Sequence, residues 1–475
     1  MSNGDRVKLK STTLLLLFFF AQFGIKSAIA QTQPALTQQS PQLCPAQIGT
    51  AIEEITNRPQ FSRSRWGISI QTLASAQNLY SQDAQKYFIP ASNAKLLTTA
   101  AALQRLGSQF QIRTSVYGSG DNLQIVGRGD PSFTNTQLQA LVQQLSRRGI
   151  RQVNQLIAVD GDRTAVVDPT WEWEDVQADY GAPFGNYILN RNAVELKLLP
   201  QQIGQPLRVQ WTDPAEAVWW QVENETVTVA TGETTSVNRN LKGTVLQITG
   251  NLSVDAEPQS VNLAVVEPTE HFLRHFRRTL ANASIITQQL VVTRSSQENW
   301  QELAAVTSPP LAQLLIETNQ NSNNLYAEAI LRAIATTRDT GLEVVSNTLT
   351  TLGIDPHTYV LADGSGLSRH NLISPEALVQ TLRVMASSQV YRSSLPVAGV
   401  SGTLASRFQN TSAQGVVQAK TGSMSGIAAL SGYLNNTSYE PLIFSILVNQ
   451  SNLPGTELRQ AIDEIVVMLT RLRRC

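Results

Sequence analysis

Residues 90–106 read PASNAKLLTTAAALQRL, and Gly107 follows them. The stretch predicts a helix from about Ser92 to Leu106, with proline before its first turn and glycine as its stop. Ser92 and Lys95 are spaced i and i+3, so they share one face of that helix. The start of a helix favours developing negative charge on Ser92, and a desolvated Lys95 can take the hydroxyl proton. The same spacing fits a serine that merely caps a helix, so the pattern alone leaves both interpretations open.

A second motif, Lys420-Thr421-Gly422-Ser423, follows the β-like run GVVQA at residues 415–419. Lys420 supplies a positive charge, Thr421 supplies a hydroxyl, and Gly422 lets a ligand approach the backbone closely. This combination suits an anionic, extended peptide that lies along an edge strand. The other interpretation is a strand that ends in a turn with a surface lysine.

A third motif is Ser322-Asn323-Asn324, which precedes LYAE at residues 325–328. It predicts either a polar loop that caps the next helix or a second hydroxyl near the nucleophile, with an amide that binds the substrate. Each of the three motifs alone is weak evidence for a catalytic site. Their occurrence in this order along one chain is stronger evidence.

Between these motifs the sequence pattern changes from helical to short β-like runs and then back to helical, which predicts an α+β fold with a large insert. Strands are predicted at Trp66–Leu73 and near residues 78–81, and the C-terminal part predicts three strands followed by an amphipathic helix. A strand layer backed by helices from both chain ends is an α+β arrangement. Helices are expected to return from about residue 295. The intervening region is predicted to be mainly β, with runs at Gln111–Tyr117, Leu123–Val126, Gln155–Val159, Leu207–Trp211, Thr226–Val229, Val245–Thr249 and Ser260–Val266.

S-x-x-K, then S-x-N, then K-T-G is the signature of serine β-lactamases and penicillin-binding proteins. The stretch from Lys95 to Ser322 is far too long for a single-domain class A β-lactamase. The sequence resembles the D-alanyl-D-alanine carboxypeptidase/endopeptidase family similar to penicillin-binding protein 4, serine peptidase family S13. Further matching stretches are GDPSF at 129–133, residues 171–183, DGSGLSR at 363–369 with Asn371, and GTL at 402–404 with Arg407.

The resemblance implies a β-lactamase/transpeptidase-like catalytic domain with an antiparallel sheet flanked by helices. That domain would comprise residues 43–109 with 292–475, interrupted by an inserted β-rich domain or domains at 110–291. The implied reaction is hydrolysis of the D-alanyl-D-alanine bond of peptidoglycan stem peptides, and of D-alanyl-diaminopimelyl cross-links, with a role in cell-wall remodelling.

The resemblance also implies roles for the motif residues. Ser92 attacks the carbonyl to form an acyl-enzyme, Lys95 takes its proton, and Ser322 passes a proton to the leaving amine. Asn324 bonds the substrate backbone, while Lys420 and Thr421 hold the terminal carboxylate beside Gly422. The backbone N–H groups of Ser92 and Ser423 form the oxyanion hole, and β-lactam antibiotics acylate Ser92 as inhibitors.

A subsite for a diaminopimelyl-like side chain, with one amine and one carboxylate, is a further implication. The positions that match it are Asp175 and Tyr180 from the insert, Arg369, and Met424. Asp175 is expected to pair with the ammonium and Arg369 with the carboxylate. Both Trp171 and Trp173 are candidates for an aromatic wall.

Two alternatives remain at this level: a β-lactamase, and a non-catalytic wall-binding protein of the same fold. No convincing E-x-x-x-N deacylation motif accompanies the three motifs, which disfavours a β-lactamase. The intact motifs disfavour a non-catalytic protein. A Ser-His-Asp triad is disfavoured because there is no G-x-S-x-G elbow and only 4 histidines occur.

The N-terminal residues predict export. Basic residues at 6, 8 and 10, the apolar run 14–20 and the AIA sequence at 28–30 predict a signal peptide over 1–30, followed by a flexible leader over 31–42. The mature protein is then expected in the periplasm or cell envelope, without a transmembrane anchor after cleavage. In that oxidising compartment Cys44 and Cys475 either form one disulfide or remain two free thiols.

Composition excludes several other classes of function. The formal net charge is +0 and the pI is about 6.9, which gives no electrostatic basis for binding nucleic acid. The 2 cysteines and 4 histidines offer little material for a metal site, and His271 and His275 are interpreted as ordinary helix-face residues. No cofactor and no metal ion are expected.

Overall fold

The computed structural model describes residues 42–161, 167–240, 243–297 and 299–475. The predicted signal peptide over 1–30 and all but the last residue of the leader over 31–42 lie outside the described residues. Within the described ranges, no helix combines the length and the apolar composition that crossing a membrane requires.

A five-stranded antiparallel sheet forms the centre of the part that carries the three motifs. Its order is β16-β17-β18-β1-β2, so the first two strands of the chain pair with the last three. Its strands are β1 Arg65–Thr72, β2 Asn78–Gln82, β16 Val417–Met424, β17 Ile427–Leu434 and β18 Leu442–Asn449. The three predicted C-terminal strands are therefore present, and β16, which carries Lys420, lies at the sheet edge as expected.

Strands β17 and β18 are buried on both faces because helices cover both sides of the sheet. Successive side chains of a strand point to opposite faces. Tyr433 and Leu447 therefore enter one core, while Leu434 and Phe444 enter the other. The helices of this part are α1 Ile48–Thr56, α2 Lys95–Leu106, α5 Leu311–Asn319, α6 Asn324–Ile334, α7 Gly341–Thr351, α8 Pro375–Met385, α9 Gln389–Ser393 and α10 Gly455–Leu469. Helices α1 and α10 pack on one face, and α2 with α5–α9 supply the core on the other.

The insert contains three further sheets. A five-stranded sheet has the order β12-β5-β4-β3-β13, and two three-stranded sheets have the orders β8-β10-β9 and β11-β6-β7. Their strands are β3 Arg113–Ser119, β4 Asn122–Val126, β5 Gln152–Val159, β6 Ala193–Leu199, β7 Arg208–Trp211, β8 Gln221–Val229, β9 Glu233–Arg239, β10 Val245–Ser253, β11 Gln259–Ala264, β12 Ile286–Thr293 and β13 Gln301–Thr307. A short pair, β14 Tyr359–Val360 and β15 Leu372–Ile373, lies near α8.

The insert differs from the prediction in its helix content and in the residue at which it ends. The insert also contains two amphipathic helices, α3 Asn135–Arg147 and α4 Pro268–Asn282, whose apolar faces cover the five-stranded sheet. Helices do not return from about residue 295, because β13 still pairs with β3 before α5 begins. The reason is tertiary: β13 completes an existing sheet edge, a preference that the local pattern does not contain.

The two ends of the described chain are joined. Cys44 and Cys475 form a disulfide, and next to it the Arg473 N–H donates to the Leu43 carbonyl at 3.1 Å. The open question of pairing is thus answered in favour of the disulfide. Because it closes almost the whole chain into one loop, its principal effect is to restrict the unfolded state.

Replacing both cysteines by serine is expected to lower the free energy of unfolding by about 2–4 kcal/mol. Urea unfolding followed by tryptophan fluorescence measures the change. As a control, a reductant should lower the midpoint of the wild-type protein to that of the double variant and leave the variant unchanged. Equal midpoints for oxidised wild type and variant would contradict the expectation.

Candidate active site

The S-x-x-K motif lies where a 3₁₀ turn, Ala91–Ala94, leads into α2. Ser92 is in the turn and Lys95 is the first residue of α2, so the predicted single helix begins later than expected. Ala91 has a φ of 47°, a conformation that non-glycine residues seldom adopt and that clusters at functional sites. A Cβ on Gly422 would lie only 2.7 Å from the Pro90 carbonyl oxygen. Glycine at 422 therefore lets the edge strand approach the turn that carries Ser92.

Lys95 is completely buried and fully hydrogen-bonded. Its Nζ donates to Ser92 Oγ at 2.9 Å, to Asn324 Oδ1 at 2.6 Å and to the Ser365 carbonyl at 2.6 Å. Burial lowers the pKa of Lys95 to about 7, although the carboxylates of Asp363 and Glu328 oppose the shift. A lysine with such a pKa is partly neutral at pH 7 and can accept a proton from the hydroxyl that it contacts.

Ser322 and Lys420 form a second hydroxyl–amine pair. Ser322 lies between α5 and α6 with a φ of 56°, and Lys420 Nζ donates to its Oγ at 2.8 Å and to the Thr421 carbonyl at 2.9 Å. Lys420 is also completely buried, and burial together with the charge of Lys95 holds its pKa well below the ordinary value. The three motifs are thus brought together, with Lys95 and Lys420 each holding one hydroxyl.

Asn324 and Thr421 connect the motifs to other parts of the chain. Asn324 Nδ2 donates to the Tyr180 carbonyl at 2.9 Å, which connects the S-x-N motif to the insert. Thr421 Oγ1 lies 2.7 Å from Thr403 Oγ1, so the GTL stretch at 402–404 packs against the K-T-G strand.

Two buried carboxyl groups under Lys95 are functional-site features that sequence reasoning did not assign. Asp363 accepts hydrogen bonds from the Gly366 and Ser368 N–H groups, each at 2.7 Å. Glu328 accepts the Ser365 N–H at 2.7 Å, and the carbonyl of the same residue accepts a hydrogen bond from Lys95. Burial and the charge of Asp363 raise the pKa of Glu328 to about 8.

The Asp363 and Glu328 carboxyl groups therefore position the turn that holds the base. Two sequence features could have identified these acids. They are the DGSG stretch at 363–366 for Asp363 and, for Glu328, its position one helical turn after Asn324.

A cleft of about 580 Å³ opens above Ser92. Its lining includes a serine from each of the three motifs, Asn324 and the four residues expected in the side-chain subsite. The lining residues are Ala91, Ser92, Glu172, Glu174, Asp175, Tyr180, Ser322, Asn324, Gly366, Leu367, Arg369, Ser423, Met424 and Ser425. A larger cleft beside α1 and α10 contains none of the predicted site residues.

The aromatic wall expected from Trp171 or Trp173 is not among the cleft-lining residues of the described chain. Trp171 is buried, and its Nε1 donates to Asp363 Oδ2 at 2.8 Å, so it supports the turn beneath the cleft. Trp173 is exposed. The residue between these two tryptophans in the sequence, Glu172, lines the cleft instead, and the prediction did not include it.

Within the described ranges, one group of side chains has the composition of a metal site: Glu216, His271 and His275. His271 and His275 lie one turn apart on the buried face of α4. His275 Nε2 lies 2.7 Å from Glu216 Oε1, and Arg278 Nη2 contacts His275 Nδ1 at 3.0 Å. An arginine can only donate hydrogen bonds, so His275 Nδ1 is the acceptor. His275 Nε2 then carries the hydrogen and donates it in the bond to Glu216 Oε1. This hydrogen-bond network accounts for the cluster, and a metal on Nε2 would put a proton at Nδ1, opposite Arg278.

The sheet, the buried Ser–Lys pair and the second hydroxyl held by Lys420 define the class of active-site serine hydrolases that includes penicillin-binding proteins. Residues 48–472 match the model of the D-Ala-D-Ala carboxypeptidase 3 (S13) family, and the chain belongs to this family. The α+β fold with a large insert is thereby confirmed.

Individual relatives agree with this assignment. The chain is 34% identical over 454 residues to a D-alanyl-D-alanine carboxypeptidase of Actinomadura sp., covering 88% of this chain and 83% of the relative. It is 30% identical over 481 residues to penicillin-sensitive carboxypeptidase A of Dictyostelium discoideum, covering 88% and 91%. The crystal structure of penicillin-binding protein 4 from Haemophilus influenzae superimposes with a TM-score of 0.76 at 25% identity, over 88% of this chain and 98% of that one.

Proposed function

We propose that this protein hydrolyses the D-alanyl-D-alanine bond of peptidoglycan stem peptides through an acyl-enzyme on Ser92. The observation that carries the proposal is the 2.9 Å contact between Ser92 Oγ and the buried Nζ of Lys95. A hydroxyl is a weak nucleophile, and an adjacent amine with a pKa near 7 activates it by removing its proton.

The reaction divides into two steps. In the first, Ser92 Oγ bonds to the carbonyl carbon of the penultimate D-alanine while its proton goes to Lys95. Ser322, held by Lys420, delivers a proton to the leaving amine as the C–N bond breaks and the terminal D-alanine departs, and the proton on Lys95 then returns to Ser322. In the second, water attacks the ester and gives its proton to the neutral Lys95. Lys95 passes that proton to Ser92 Oγ as the ester C–O bond breaks, and the shortened stem leaves with Ser92 restored.

The backbone N–H groups of Ser92 and Ser423 are proposed as the oxyanion hole. Donors aimed at the developing negative charge contribute about 10²–10³ each to the rate of such reactions. Lys420 and Thr421 are proposed to hold the terminal carboxylate beside Gly422, and Asn324 to bond the stem backbone. Asp175, Tyr180, Arg369 and Met424 are proposed to receive the stem side chain, which is supported by their shared place in the cleft.

The site also supports cleavage of D-alanyl-diaminopimelyl cross-links and acylation by β-lactams, since both place an amide carbonyl before the same serine. We place the protein in the periplasm or cell envelope, where peptidoglycan is found and where the Cys44–Cys475 disulfide is stable. Mass spectrometry of linear and cross-linked stem peptides after incubation tests the substrate. Loss of one D-alanine or separation of cross-linked stems supports the proposal, and unchanged peptides would refute it.

We propose that the catalytic part comprises residues 43–109 and the C-terminal part of the chain, with the insert between them. The central sheet supports this division because it draws only on the two chain ends. The insert was expected to end at residue 291, with residues 292–475 in the catalytic part. Since β13 belongs to the inserted sheet, we place the second boundary after Thr307.

The acylation rate is expected to depend on pH through Lys95. Burial lowers its pKa to about 7, Asp363 and Glu328 raise it, and Lys420 lies close enough for the two ammonium charges to repel. Only neutral Lys95 can accept the proton, so the rate should rise with pH and level off above about 7. At pH 5 it should be about 100-fold lower, because a tenfold loss of the neutral form accompanies each unit. Fluorescent-penicillin labelling rates measured from pH 5 to 9 check this, and a flat profile below pH 7 would contradict it.

A further inference from the structure

The proposed side-chain subsite carries more negative charge than its expected function requires. Three carboxyl groups, Glu172, Glu174 and Asp175, line the cleft, and Arg369 is the one cation among the described lining residues. A side chain with one amine and one carboxylate would need one acid and one base. Two of the acids are therefore in excess.

One of the excess acids already occupies the base. Glu172 Oε1 lies 2.9 Å from Arg369 Nε, and the other contact of the guanidinium is a 3.4 Å hydrogen bond to the Ser425 carbonyl. The Glu172 side chain is 52% exposed and that of Arg369 is 30% exposed, so the pair stands at the open side of the cleft. A substrate carboxylate that approaches the Nε side of Arg369 therefore competes with Glu172.

Asp175, the acid expected to receive the amine, is in contrast held by a tyrosine and not by a cation within the described chain. Asp175 Oδ1 accepts the Tyr180 hydroxyl at 3.1 Å, and Asp175 Oδ2 is shielded from solvent without a hydrogen-bond partner. Glu172 and Glu174 add their negative potential to this position, since both raise the pKa of Asp175. The cleft therefore offers an ammonium group the Asp175 side chain with two further acids beside it, and offers a carboxylate group a guanidinium whose Nε already contacts Glu172.

We propose that Glu172 determines specificity by occupying Arg369, which biases the subsite toward stem side chains that end in an ammonium group without a free carboxylate. Lysine and carboxyl-amidated diaminopimelate have this chemistry, while free diaminopimelate carries the additional carboxylate. This inference rests on the proposed function, because it concerns the side chain of the same stem peptide. Partly exposed ion pairs are weak, so the bias amounts to about 1.4- to 5-fold in kcat/KM.

Stem peptides that differ only in their third residue test the inference. D-Alanine release is measured with lysine, meso-diaminopimelate and carboxyl-amidated diaminopimelate at that position, for wild type and Glu172→Gln. The ratio of kcat/KM for free diaminopimelate to that for lysine should rise about 1.4- to 5-fold in the variant. Both substrates keep the amine, so the ratio isolates the carboxylate. The ratio of kcat/KM for the amidated peptide to that for the lysine peptide should be the same in wild type and Glu172→Gln.

Glu174→Gln is the matched control, because it removes the same charge from the same cleft without freeing Arg369. An unchanged ratio in Glu172→Gln, or an equal rise in Glu174→Gln, would overturn the inference. Arg369→Gln tests the subsite itself, and it should lower the ratio of kcat/KM for free diaminopimelate to that for lysine. If the ratio does not fall, Arg369 does not bind the substrate carboxylate, and both the subsite and the inference fail. If wild type releases D-alanine from none of the peptides, the proposed function itself fails. Thermal unfolding of each variant verifies that it is folded.

Discussion

Replacing Ser92 by alanine is expected to lower the rate of D-alanine release by about 10⁴- to 10⁶-fold and to abolish covalent labelling by penicillin. The alanine lacks the Oγ that forms the ester, and the Lys95 and Ser322 groups have no second nucleophile to activate in its place. The rate of D-alanine release and the mass of the protein after incubation with penicillin measure the two effects. Wild type should gain the mass of one antibiotic molecule, and the variant none.

Ser393→Ala is a suitable control, since this exposed hydroxyl bonds only to backbone carbonyls of its own helix. It should keep the activity of the wild type. A Ser92→Ala protein that still gains the antibiotic mass would show that another residue carries the acyl group, and the acyl-enzyme proposal would then be wrong.

Replacing Lys95 by methionine is expected to lower kcat/KM by about 10²- to 10⁴-fold, the usual contribution of a positioned general base. Lys95→Arg is expected to be as inactive, although it keeps the positive charge. A guanidinium stays protonated at any usable pH, so it cannot accept the Ser92 proton. Stopped-assay D-alanine release at pH 8, where the wild-type lysine is mostly neutral, measures both variants.

The exposed Lys86 provides a matched control, because Lys86→Met removes the same charge from a residue that does not line the cleft. If Lys95→Arg retained wild-type activity, Lys95 would act as a fixed positive charge, and the proton would have to go elsewhere. If Lys95→Met alone lost its fold, the comparison between Lys95→Arg and wild type would still decide between the two roles.

The sequence predicted the central pairs of the site because one pair is local and the other belongs to motifs in a recognisable order. Ser92 and Lys95 are close in sequence, and the order of the three motifs indicated that Ser322 and Lys420 lie beside them. Glu328 and Asp363 were not recognised as a base-supporting pair, because their partnership depends on how α6 packs against the 363–365 turn. Burial changes the chemistry of such groups, and burial of an acid is not visible in a local pattern.

The subsite shows the same limit at the level of a single residue. Asp175 and Arg369 were predicted by resemblance, and both line the cleft. The alternation around position 172 left two tryptophans as candidates for the wall, while the charged residue between them took that place. Backbone direction at one position of a 3₁₀-rich segment decides which side chain enters the cleft, and composition carries no information about it.

Fold prediction succeeded where strands have uniform burial and failed where pairing decides. Strands β17 and β18 are among the three strands predicted for the C-terminal part, because both are predominantly apolar. Strand β13 was missed because its residues alternate weakly and gain their place by pairing with β3. Helix α3 was missed between strand-like runs, although a capping box at Thr134 and Gln137 marks its start.

The pairing of β1 with β18 has a consequence for biogenesis. Arg65 lies opposite Asn449 in that ladder, so the central sheet joins segments from the beginning and the end of the chain. As the chain leaves the ribosome or the export channel, the inserted sheets are complete once Thr307 has emerged. The central sheet must wait for its last three strands, and contacts of such long range form slowly. Ser92 is therefore among the first site residues to be made, and it becomes part of an active site only when β16 brings Lys420 to it.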